Sequence, residues 1–148
     1  MMIASRIAYE ALIESNLATN RDRAVRDSAP LSVWLEIIAD CPQHKSFVAQ
    51  NKTIPREVLR VLVEDDDRDV RFTLAMRRAV GRDDQIAGVL ASDPDPAIRA
   101  ALARNPQLGL HLLVQLAQDD DDWVRERASE TLTSRQTRRR SDPGAVSR

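Results

Sequence analysis

Three kinds of side chain in this sequence could do chemistry, and their spacing says which kind. Acidic residues cluster at 64–67 with Asp69, at Asp93 and Asp95, and at 119–122. A calcium loop needs a glycine at its sharp turn and a distal bidentate glutamate, and none of these runs has that glycine. Their constant place just before Val70-Arg71, Ile98-Arg99 and Val124-Arg125 suits capping of helices and the positive end of the helix dipole. The ladder Lys45, Arg71, Arg99 and Arg125 has the regularity of a phosphate-binding row. Pairing between repeats is the expectation, because aspartates stand beside the arginines and would neutralise the field a phosphate needs. Trp34 falls in an apolar doublet and reads as core, whereas Trp123, just before Val124-Arg125, is expected to be partly exposed, with a face on which a base could stack.

Other chemistry is poorly supplied. His44 and His111 are too few and too far apart for a metal pair, and the single Cys41 excludes an internal disulfide or a multi-cysteine cluster. Cys41, followed by Pro42, reads as a capping or packing residue. No glycine-rich phosphate loop, nucleophile elbow or HExxH helix occurs. No catalytic residue, metal or cofactor is therefore expected, and the chain reads as a non-enzyme.

Composition narrows the partners. Lys and Arg number 22 against 23 Asp and Glu, so the net charge of −1 gives no global pull toward nucleic acid or an anionic membrane. The sequence of 148 residues has 43% hydrophobic residues, enough for one globular domain with a real core. Four glycines and 3% aromatics argue against a β-sandwich. Arg6 and Glu10 interrupt the N-terminus too early for a signal peptide, and no apolar run approaches the ~20 residues of a membrane span. A cytoplasmic, reducing setting is the expectation.

The elements that must position these residues come from an internal repeat. Residues 48–65 align without a gap on 102–119, an offset of 54. An alanine recurs at Ala24, Ala49, Ala75 and Ala103, with Ser129 in its place at the end, in steps of 25, 26, 28 and 26. Six residues after each alanine comes Pro30, Pro55, Gly81 or Gly109, which breaks a short first helix. A second helix then carries doublets: Val33-Trp34 with Ile37-Ile38, Val58-Leu59 with Leu62-Val63, Ile86-Ala87 with Leu90-Ala91, Leu112-Leu113 with Leu116-Ala117. That spacing makes one apolar stripe on a helix, which only stacked neighbours can bury.

The expected architecture is all-α, an α-solenoid of four to five two-helix repeats of 25–28 residues, some first helices short or 3-10. A single domain spans 1–133: an N-terminal capping helix at 2–18, repeats near 24–48, 49–74, 75–102 and 103–128, and a partial unit at 129–133. In the capping helix Ile3, Ile7 and Ala11 stand four apart, as do Ala4, Ala8 and Leu12. Residues 134–148 have no apolar period; they hold five arginines against one aspartate, +4, which leaves −5 for the remainder. They read as a disordered basic tail whose removal leaves folding unaffected.

The string from Asp93 to Gly109, DPDPAIRAALARNPQLG, followed by Leu112-Leu113, Leu116-Ala117 and Asp119, resembles the leucine-rich repeat variant, a bacterial relative of HEAT-like α-solenoids. The likeness covers about residues 24–132. It implies a right-handed superhelix of paired helices. Some members carry an iron–sulfur cluster on a cysteine-rich segment; with Cys41 alone, that cofactor is not carried over. HEAT-like folds also include DNA glycosylases, which supplies a nucleic-acid-binding alternative.

Removing core and cap positions leaves an outward face on the second helices. Leu35, Val61, Val89 and Val114 form its apolar strip, and Arg56, Arg60, Gln85, His111 and Gln115 flank it. An apolar centre with a polar rim fits a protein or peptide partner, and the face lacks the basic excess of a nucleic-acid groove. The expected activity is that of a scaffold or adaptor. Self-association through the C-terminal end is a further expectation, since no polar cap follows Leu132.

Overall fold

The computed structural model describes residues 1–141. Over these residues the chain is all-helical, built from repeated helix pairs of the α-solenoid kind, with ten α-helices and two 3-10 turns. Contacts divide it into two compact units, Met1–Leu74 and Ala75–Arg148. The division falls at the recurring Ala75, a repeat boundary in the sequence.

The first unit opens with α1 (Arg6–Glu14), which starts where the Ser5 hydroxyl accepts from the Ala8 amide. This is four residues later than the expected helix at 2–18, because Met2 bridges Ser28 and the Ile3 amide donates to the Ser28 carbonyl at 2.6 Å, which draws the chain out straight. The buried face also differs. Tyr9, Leu12 and Ile13 face inward, and Ile7 is 70% exposed. Tyr9 turns the helix this way by meeting Trp34 edge-on, with ring centres 5.6 Å apart. A second break at residues 15–17 begins α2 (Ala18–Arg26), the first helix of the first repeat.

The helices that follow in this unit and the next keep the same plan. α3 (Leu31–Asp40) leads through a 3-10 turn at Pro42–His44 into α4 (Lys45–Gln50), then α5 (Arg56–Leu62) and α6 (Arg68–Ala75). In the second unit a 3-10 turn at Val80–Arg82 precedes α7 (Asp84–Ala91), α8 (Pro96–Ala103), α9 (Leu110–Leu116) and α10 (Asp122–Ser141). The acidic residues cap as their register implies: the Asp95 carboxylate accepts from Ala97 with Pro96 at the first helical position, and Asp83 caps α7. The doublets of α3, α5 and α7 are all buried, as are Leu112, Leu113 and Leu116 of α9.

A second set of buried groups carries no apolar signal. Asn51 is fully buried and donates to the carbonyls of Ala24 at 2.7 Å and Asp27 at 2.9 Å, while accepting from the Thr53 amide. Asn105 stands at the same place in its repeat, donates to the Arg77 carbonyl at 2.7 Å and accepts from the Gln107 amide. Each side chain closes a helix end onto the loop of the preceding repeat, satisfying backbone acceptors that burial would otherwise leave costly. Gly81 is required here: a Cβ at that position would lie 2.6 Å from the Asn105 amide oxygen and 2.8 Å from the Leu108 nitrogen.

The C-terminus departs most from expectation. α10 continues to Ser141, so residues 134–141 are helical rather than a disordered tail; residues 142–148 lie outside the described part. The physical reason is polar. The Arg135 guanidinium donates to the carbonyls of Leu108 at 2.8 Å and Asn105 at 3.1 Å, fastening α10 over the last turn of the repeat.

Candidate functional site

The outward positions of the second helices are where the sequence places them. In the first unit, α3 packs beside α5 and presents Leu31 and Leu35, each 39% exposed, next to exposed Arg56, Arg60 and Val61 of α5. In the second unit, α7 packs beside α9 and presents Gln85 and Val89 next to Leu110, His111, Val114 and Gln115, all exposed. Each unit thus carries its own short apolar strip with a polar border. Leu31 and Leu110 extend these strips at the first turn of their helices. His111 Nε2 lies 4.0 Å from the Asp84 carboxylate, both on the surface. Gly109 permits that approach, since its Cβ would stand 2.9 Å from the imidazole and 3.0 Å from the carboxylate.

The basic ladder is built into the fold. Arg99 forms a two-point pair with Asp119 at 2.8 Å in each contact and donates a further bond to the Asp93 carbonyl at 2.7 Å. That pairing raises the Arg99 pKa and lowers that of Asp119, the hydrogen bond between them being the largest cause in both. Lys45 pairs with Asp65 at 2.7 Å, twenty residues on, the same interval as Arg99 to Asp119. Arg71 and Arg125 repeat the backward reach of Arg99, donating to the carbonyls of Asp65 and Asp119 six residues earlier. Arg125 also pairs with Asp122. These cations satisfy carbonyls and carboxylates at the turns, where a bound phosphate would have to displace them.

Cys41 is buried, 2% exposed, and donates to the Glu10 carboxylate at 3.0 Å while Arg6 approaches its sulfur at 3.7 Å. The bond to Glu10 and burial push the thiol pKa up. A protonated buried thiol is a packing and hydrogen-bonding group, not a nucleophile. Trp34 is fully buried, and Trp123 is 49% exposed. Among the described residues no group of three His, Cys, Asp or Glu side chains is placed to hold a metal ion, and no helix is long and apolar enough to cross a membrane.

Arg135 and Arg138 read in the sequence as part of a basic tail, not as residues of a helix beside Arg104. Arg135 and Arg138 line a cleft of about 240 Å³ with Arg104, Pro106, Glu130, Thr131 and Ser134. No apolar period marks residues 134–141, so their arginines are visible in the sequence and their convergence on Arg104 is not.

No curated protein and no solved structure matches the chain. Residues 96–121, which run from the first residue of α8 past the end of α9 to the Asp121 turn, match the leucine rich repeat variant family model. Over those residues the chain is similar to a leucine rich repeat variant, in the stretch that holds the Arg99–Asp119 pair.

Proposed function

We propose that this chain is a non-enzymatic protein- or peptide-binding module of the cytoplasm, using the outward faces of its second helices. The observation that carries the reading is the exposure of aliphatic side chains where the repeat has no structural need for them: Val61 is 51% exposed, Val114 44% and Val89 40%. Burying such groups against a partner contributes roughly 25 cal/mol per Å² before association costs. Arg56, Arg60, Gln85, His111 and Gln115 border the strips and set orientation. The ladder supports the same reading, because its cations are engaged by carboxylates and carbonyls and add no phosphate-binding row.

Selection of binders from a random peptide display library tests this. Peptides enriched by the full chain should carry apolar anchors and lose binding to the Val61→Asp or Val114→Asp variant, with the circular dichroism of the variant unchanged. Retained binding in both variants overturns the reading, as does preferential retention of nucleic acid with affinity falling steeply in salt.

A further inference from the structure

The cleft against α10 holds a charge arrangement found nowhere in the ladder. Arg104, Arg135 and Arg138 converge on it, and among the described residues none of the three has a carboxylate partner. Glu130 also lines the cleft, but Arg127 already holds its carboxylate at 2.8 Å, so the lining keeps a positive excess. Arg135 is the innermost of the three. Two of its nitrogens are committed to the Leu108 and Asn105 carbonyls, and burial together with Arg139 lowers its pKa. An anion in the cleft would relieve that repulsion. Arg104 and Arg138 are exposed at the mouth and make no ion pair among the described residues, which leaves both guanidinium forks toward a planar two-oxygen acceptor. Ser134 adds a hydroxyl to the same wall.

We infer that this cleft is an anion site that receives an acidic side chain, aspartate or glutamate, from a peptide segment of a protein partner. Its shape favours a peptide over a nucleic acid. A volume of about 240 Å³ accommodates one or two carboxylate side chains, whereas a phosphate backbone needs an extended basic track. The charge outside the 134–148 segment is −5 against +4 within it, so a long polyanion leaving the cleft meets an acidic body. None of the cleft residues belongs to the apolar strips. The inference rests on the reading of the chain as a protein-binding module and names a second, charged contact for it.

Calorimetric titration of the full chain with hexaglutamate at low ionic strength tests the site. The result expected is saturable binding that the Arg104→Gln/Arg138→Gln variant weakens by about tenfold or more, a loss typical of two charge-assisted contacts. Arg78→Gln, an exposed arginine outside the cleft, should leave the affinity unchanged, and circular dichroism should be the same for all forms. Hexaglutamate binding that survives the double variant, or no binding at all, overturns the inference. Tighter binding of a ten-nucleotide oligothymidylate than of hexaglutamate overturns it in favour of nucleic acid. Val61→Asp and Val114→Asp serve as the separate arm: they should not alter hexaglutamate binding, so failure of the strips and failure of the cleft are read independently.

Discussion

Arg99 and Arg104 are five residues apart, one within α8 and the other its C-terminal cap, yet they do opposite things. The Arg99 side chain is 16% exposed and locked on Asp119 and on the Asp93 carbonyl; Arg104 is exposed with no acidic partner among the described residues. Sequence treats the two as the same letter. The difference lies in what the repeat returns to each position: the next turn brings an aspartate to Arg99, and α10 brings two further arginines to Arg104. Charge that the repeat neutralises is structural, and charge that it concentrates is left over for a ligand.

Five perturbations would break or sharpen this contrast, the largest first. Leu113→Asp buries an unpaired charge in the doublet of α9 and should abolish cooperative unfolding or cost more than about 4 kcal/mol, while Gln115→Asp on the exposed side leaves the midpoint in urea near that of the wild type. Arg99→Leu removes a two-point pair and leaves Asp119 without its main partner, an expected loss of about 2 kcal/mol in urea denaturation. Truncation after Ser134 removes the two Arg135 bonds and should cost about 1–2 kcal/mol, contrary to the reading of residues 134–148 as a dispensable tail. Arg104→Gln should change stability by less than about 0.5 kcal/mol, as expected of an exposed side chain.

The fifth concerns pH. Because Arg99 holds the Asp119 pKa below its ordinary value, the pair's contribution is complete above the unfolded-state value near ~4 and is lost as pH falls through the lower folded-state value. The stability gap between wild type and Arg99→Leu should therefore be constant near neutrality and narrow in acid. A gap that does not change with pH would mean that Asp119 is not the partner that matters.

Much of the fold was legible, for a physical reason that also explains the gaps. Doublets such as Leu112-Leu113 and Leu116-Ala117 advertise a buried stripe because apolar burial is the main term in packing a helix. The outward set Leu35, Val61, Val89 and Val114 could be read as its complement, and all four are exposed. At the N-terminus the same logic misplaced the face of α1, since alanines and isoleucines occur on several sides and the deciding contact was Tyr9 with Trp34, twenty-five residues apart. The helical course of residues 134–141 is not legible because Arg135 is held by backbone carbonyls 27 and 30 residues back, and a carbonyl has no letter in a sequence. The buried Asn51 and Asn105 escaped for the same reason, although their recurrence at an offset of 54 was visible.

Those two asparagines act on main-chain oxygens rather than on side chains, so the fastening surface they need exists in a repeat whose loop leaves room for the amide, as Gly81 does for Asn105. A segment of this kind brings its own clasp and finds a ready eye in its predecessor. Arrays assembled in this way can gain or lose a whole segment with little matched change beyond the small residue that admits the amide. Surface residues are then free to diverge segment by segment while the joint between neighbours stays interchangeable.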